Sequence, residues 1–261
     1  MKTCVAVVLL LFGGVCVAQA SPEGGPRNAA AYPESEADAA WRGLGASYVR
    51  KALKDRTLDL DPVLNARVDR VMAAIGAAAA AIDPRFAKSS WKAILIDDFG
   101  HGAVAFPGES ILVDAKFVRT LQLGDDELAL ILSHEVAHVV AGHASVKLSF
   151  MAEFLGKEKV PTARTALLEF LAKDYYAAVF RPTARLQERE ADMIGAGIFL
   201  ASGYDAQRAL GLFDKLAELE TREDWPGPDS HDAAGARKQM VSDAMADLTK
   251  RLPPQEEGVS H

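Results

Sequence analysis

His134-Glu135-Val136-Ala137-His138 sets two imidazoles four residues apart. On an α-helix that spacing puts both rings on one face, one turn from each other, so they reach a single metal ion together. Glu135 lies about 100° round the same helix. From there its carboxylate can work on a water at the site without ligating the metal, the arrangement of a hydrolytic zinc centre. The competing reading is a chance pentapeptide on a buried helix, and the context argues against it. Leu128, Leu130, Ile131, Leu132, Val139 and Val140 make the segment apolar nearly all round. A central, buried helix follows, beginning at Gly124-Asp125-Asp126-Glu127 with acids in its first turn. A metal site needs such a rigid, dry support.

A catalytic zinc takes three protein ligands and keeps a fourth position open. Both cysteines, Cys4 and Cys16, lie in the N-terminal segment read below as removed, so the third ligand must be His, Asp or Glu. Glu188 and Asp192, in Arg185-Leu186-Gln187-Glu188-Arg189-Glu190-Ala191-Asp192, are four apart and share a helix face. We take Glu188 as the ligand and Asp192 as a carboxylate that orients a ligating histidine. Glu190 points about 160° from Asp192, toward another side. A solvated acidic helix face is the alternative reading of the same spacing. His143 falls about 140° round from His138 on a continued helix. That geometry excludes it from the same metal and leaves it a supporting or packing role.

The 261 residues fit one domain with appendages. The first twenty read as a cleaved signal peptide: Lys2, an apolar run from Val5 to Val17, and the small-x-small site Ala18-Gln19-Ala20. A lipidated Cys16 is the weaker alternative, because Val15 fits poorly before it. The expected plan is a signal peptide at 1–20, a flexible Gly/Pro/Ala leader at 21–37, a catalytic domain at 38–252 and a frayed tail at 253–261. An exported protein, periplasmic or secreted, is implied, with no transmembrane span in the mature chain. The net charge of −7 and the lack of a basic stripe exclude nucleic acid as the main partner.

Helices are expected at 33–53, from the cap Asp61-Pro62 to about Ala81, and from Asp114 to Leu121. Residues 146–180 read as helical with breaks at Gly156 and Pro161, and Pro182 is expected to end that stretch before a helix at 184–201. Further helices are expected at 206–219 and 231–252, with a loop at 221–230. Strands are expected at 91–96, 103–106 and 110–113. The sum is an α+β fold, mainly helical, with a small β-sheet beside the motif helix. The segment 110–113 is expected to offer an edge to an extended peptide.

The motif His134-Glu135-Val136-Ala137-His138-Val139 followed by Glu188-Arg189-Glu190-Ala191-Asp192 resembles zinc metallopeptidase family M48. That family includes a heat-shock membrane protease, the CAAX prenyl proteases and soluble periplasmic proteases. Ala103-Val104-Ala105-Phe106-Pro107-Gly108, Gly203-Tyr204-Asp205, and His231 with Arg237 are similar to further family stretches. Gly102 and Glu109 depart from the pattern at the two ends of the strand motif, and Asp232 stands where proline is usual. The resemblance covers roughly Asp38 to Arg251 and implies a zincin-like fold with one zinc ion per chain. It also implies that His134, His138 and Glu188 are the ligands and Glu135 the general base. It places His231 and Arg237 near the cleft, as latch, oxyanion partner or salt bridge. The expected activity is zinc-dependent endoproteolysis of unfolded or damaged exported proteins, with peripheral association with membrane-protein assembly machinery. The alternative is a zinc-holding chaperone or adaptor that binds unfolded clients with little cleavage.

Overall fold

The structure is a computed structural model, and it describes residues 30–108, 110–222 and 231–251. Helix α1 spans Glu34–Asp55 and α2 spans Pro62–Ile82. Strands β1 (Lys92–Ile96), β2 (Ala103–Phe106) and β3 (Ser110–Asp114) follow. Then come α3 (Ala115–Thr120), α4 (Asp125–Val140), α5 (His143–Leu155) and α6 (Ala163–Ala172). The long α7 (Asp174–Ser202), short α8 (Ala206–Ala209), α9 (Gly211–Glu220) and α10 (Ala234–Arg251) complete the described chain. The fold is α+β and mainly helical, as the sequence indicates.

Local chemistry sets the boundaries. The Asp61 carboxylate accepts from Val63 N at 2.9 Å and starts α2, with Pro62 in the first turn where no backbone donor is needed. Asp114 caps α3 through Lys116 N at 2.9 Å and also accepts from Gly100 N, tying the β1–β2 loop to the sheet. At α4, Glu127 folds back to accept from Gly124 N at 2.7 Å, and Lys215 of α9 donates to the same carboxylate.

The sheet order is β1-β3-β2, with β1 parallel and β2 antiparallel to β3. The edge assignment made from sequence is therefore corrected. Residues 110–113 lie in the central strand, hydrogen-bonded on both sides, and the edge beside α4 is β2. The reason is the crossover: β1 pairs with β3 rather than with the strand that follows it, and local periodicity does not encode that.

Two apolar clusters make up the interior. One joins α2, α4, the C-terminal half of α7 and α10, with Ile75, Leu128, Leu132 and Phe199 fully buried. The other joins α1, α5, α6 and the N-terminal half of α7 through Trp41, Met151, Phe170 and Phe180. Helix α7 passes from one cluster to the other, and Pro182 lies inside it. The expected break at Pro182 is thus overturned. Proline removes one helical donor and leaves the carbonyl of Ala178 without its usual partner. Ala178 and Pro182 are both exposed, so the freed carbonyl lies on the solvent side, while Phe180 and Gln187 are buried.

The leader does not extend to residue 37: α1 begins at Glu34, and Tyr32 is buried with its hydroxyl donating to Val160 O. Glu36 accepts from Ala163 N at 2.8 Å, fastening the same end. The helix expected at 206–219 is two helices, α8 and α9, broken at Leu210. The chain also turns between α4 and α5, with Gly142 at φ 70, so the helix does not continue to His143. The proposed signal peptide, the tail from 253 and most of the 221–230 loop lie outside the described residues. No described helix is long and apolar enough to cross a membrane.

Candidate metal centre

Helix α7 packs most extensively on α4, and the motif lies within that contact. A Cβ at Gly195 would lie 3.1 Å from His134 Cα and N and 3.2 Å from Ser133 O. Only a residue without a side chain lets the two backbones come this close. Gly195→Val is therefore expected to force α7 off α4, costing about 1–3 kcal/mol by overpacking. It should also weaken metal binding, because Glu188 and Asp192 ride on the displaced helix. Urea denaturation and metal competition check the two effects.

The approach of α7 brings Glu188 to the histidines. Glu188 Oε2 is 3.2 Å from His134 Nε2 and 3.5 Å from His138 Nε2, and the two Nε2 atoms are 3.0 Å apart. Each ring is fixed from behind. The Asp192 carboxylate lies 2.9 Å from His134 Nδ1, so Nδ1 carries the proton and donates. His138 Nδ1 lies 2.8 Å from His143 Nδ1, and His143 Nε2 lies 3.3 Å from Glu190 Oε2. The carboxylate takes the His143 Nε2–H, which leaves His143 Nδ1 to accept from His138 Nδ1–H. Both Nε2 lone pairs therefore face the Glu188 oxygen. With both histidines neutral, three acceptors converge at hydrogen-bond distance, a set that a divalent cation satisfies.

Without a cation, a proton takes that place on His134. Burial alone would lower the His134 pKa, but hydrogen bonds to Asp192 and Glu188 outweigh it and raise it to about 9. Burial would raise Glu188, yet its bonds to His134, His138 and His231 hold it far below the usual carboxylate range. Burial takes His138 down to about 4. The group as a whole favours positive charge at its centre and keeps its carboxylate ionised.

Glu135 points to the other side of the motif helix. Its Oε2 accepts from Ala105 N of β2 at 2.7 Å, which fixes it between the sheet edge and the histidines. Burial, with the Glu188 charge adding to it, raises its pKa to about 7.

Arg237 of α10 holds Asp192 with a two-pronged contact, Nε to Oδ2 at 2.9 Å and Nη2 to Oδ1 at 2.7 Å. Its Nη1 lies 3.3 Å from His231 Nδ1. A guanidinium only donates, so His231 Nδ1 accepts and Nε2 carries the proton. Nε2 lies 2.5 Å from Glu188 Oε2 and donates to it. His134, Glu188 and His231 also bring ligand atoms within 4.8 Å of one another. The tautomer argues for His231 as a donor rather than a ligand. Asp232, which replaces the usual proline, pairs with Arg189 of α7 at 2.6 Å and anchors His231 beside the site.

All eight candidate residues from the sequence thus meet in one region. Two points escaped the sequence reading. Helical angles placed His143 on a continued α4, whereas the turn at Gly142 swings it directly behind His138. Glu190, read as pointing elsewhere, closes the chain behind His143. His143 five residues past His138, with an acid two residues after Glu188, was the available signal.

The sequence matches the family described as Peptidase family M48 over residues 62–256. It is 25% identical over 185 residues to a putative beta-barrel assembly-enhancing protease of Vibrio cholerae, covering 67% of this chain and 37% of that protein. It is 28% identical over 135 residues to the mitochondrial metalloendopeptidase OMA1 of Arabidopsis thaliana, covering 50% of this chain and 26% of that one. Metalloprotease YcaL of Escherichia coli is 24% identical over 129 residues, with 48% and 51% covered. The match spans about a quarter to a half of the length of these relatives.

Proposed function

The chain belongs to peptidase family M48, and from that premise we propose that it is a zinc-dependent metalloendopeptidase acting on unfolded or damaged exported proteins. The observation that carries the reading is the convergence of His134 Nε2, His138 Nε2 and Glu188 Oε2, each held as an acceptor. These three would hold one zinc ion. When bound, zinc supplies Lewis-acid polarisation and makes water a stronger acid near neutral pH.

The chain's own residues do the rest. Ala105 N occupies Glu135 Oε2, which leaves Oε1 to take a proton from the water attacking the scissile carbonyl. The same carboxyl then returns the proton to the leaving nitrogen. We assign stabilisation of developing negative charge on the carbonyl oxygen to His231 Nε2–H, with Arg237 behind it through His231 Nδ1. The outer edge of β2, at the mouth of a cleft of ≈ 2800 Å³, suits an extended segment over a folded surface. Unfolded substrates meet that requirement.

The export reading rests on the apolar Val5–Val17 run and Ala18-Gln19-Ala20. A periplasmic or secreted location, and association with membrane-protein assembly machinery, draws support from the relative named for beta-barrel assembly. For the unit itself we take residues 38–252 as expected, widened at the start to include all of α1.

A chelator tests the reading. Cleavage of a denatured protein should be lost and should return with added zinc, while circular dichroism keeps most of the helical signal. A purely structural zinc site would instead unfold with chelation. The acid limb of kcat/KM gives a second check. Glu135 must be ionised to act, so activity rises with pH through its pKa. Burial sets that pKa at about 7, and a neighbouring divalent cation draws it down. The limb should fall below 7 yet above the ordinary glutamate value of about 4.3, as read from the pH profile of a fluorogenic peptide.

A further inference from the structure

Lys147, on α5 one turn beyond His143, stands in the wall of the cleft that holds His134, Glu135 and Glu188. Three aromatic rings surround its ammonium. Nζ lies 5.3 Å from the ring centre of Trp41 on α1, 5.3 Å from Phe170 on α6 and 5.8 Å from Phe180 on α7. The cage is rigid. Trp41 Nε1 donates to Ala144 O at 3.1 Å, and the Phe170 and Phe180 rings meet edge to face at 5.8 Å. Ring faces offset part of a positive charge, but they accept no full hydrogen bond. Among the described residues no carboxylate forms an ion pair with Lys147, whereas Lys51, Lys116, Lys215 and Lys238 each have one.

Burial lowers the Lys147 pKa, and Glu188 is the carboxylate that pulls it back up. Glu188 is already committed to three histidines. A methionine would fill the same space among the rings without the desolvation cost of a charge. What lysine adds is three N–H donors and a positive charge facing the cleft.

We propose that Lys147 is a carboxylate-binding subsite of the cleft, receiving an acidic group of the substrate. This rests on the peptidase reading. The carboxylate can come from a glutamate or aspartate side chain or from a chain terminus, and one experiment separates these sources.

Peptides from a cleaved parent sequence are prepared in matched pairs, glutamate against glutamine at each position and free against amidated C-terminus. They are tested with the zinc-loaded full chain for kcat/KM and with the Glu135→Gln protein for binding by calorimetry. The wild type should favour one acidic member at least tenfold, through KM and Kd rather than kcat. Preference confined to the free terminus marks terminal recognition; preference at one internal position marks a side chain. In Lys147→Met the ratio between the paired peptides should fall to near one, while Lys147→Arg should retain it. Equal treatment of every pair by the wild type, or the same ratio in Lys147→Met, would overturn the subsite while leaving the peptidase standing. Failure to cut any peptide would overturn both.

Discussion

Replacing Glu135 with glutamine is expected to lower kcat/KM for peptide cleavage by about 10²–10⁴-fold, the usual range for general acid–base catalysis. Zinc content and thermal stability should stay unchanged. The substitution keeps an amide oxygen that can accept from Ala105 N, so the link to β2 survives. It removes only the ability to take and return a proton. His134, His138 and Glu188 are untouched, and neither Glu135 oxygen bonds to them. The two competing functions separate here. A chaperone or adaptor has no use for a base, so client binding would be the same in both proteins. Cleavage that survives the change would exclude Glu135 as the base. A wild type that holds clients and cuts none would favour the adaptor. Under the peptidase reading, the variant retains extended substrates and can be used to capture them from exported proteins.

What could be read from sequence was whatever depends on neighbours along the chain. Asp61-Pro62 marks the start of α2, because a capping carboxylate and a proline satisfy the same terminus. The four-residue spacing of His134 and His138, and of Glu188 and Asp192, states which side chains share a face. The reading ran out where tertiary packing takes over. Pro182 breaks isolated helices, but α7 is held on both sides of it by Tyr176 and Phe180 in one cluster and by Ala191 and Ile198 in the other. The order of the strands depends on a crossover between β1 and β3. His143 lay beyond an angular argument that assumed a continuous helix. The cage around Lys147 draws its rings from residues 41, 170 and 180, whose proximity no local pattern announces.

Asp192→Ala is expected to be the most damaging single change among the supporting residues, because that carboxylate serves two partners. Oδ1 orients His134 and accepts from Arg237, and Oδ2 accepts from Arg237 as well. Only 4% of its side chain is exposed, and Arg237 is buried with it. Removing one member of a buried ion pair leaves the other charge uncompensated, which typically costs about 3–5 kcal/mol. Loss of the group that orients a metal-binding histidine typically costs about 10–100-fold in metal affinity. The two losses can be separated. In Asp192→Leu combined with Arg237→Met neither charge of the pair remains, so much of the stability should return. His134 Nδ1 still lacks its acceptor, so zinc affinity should stay low. Urea denaturation of the zinc-free protein and competition with a zinc-binding dye read the two quantities independently. Acid titration tests the same carboxylate. Burial would raise Asp192, but Arg237 and His134 outweigh it and hold it well below the ordinary range. Its contribution is present above the unfolded value of about 3.9 and is lost as pH falls through the depressed folded value. Wild-type protein should therefore lose this stabilisation only below about pH 4, and the double variant should lack that acid limb. Recovery of zinc affinity together with stability in the double variant would show that Asp192 neutralises Arg237 and does nothing for His134.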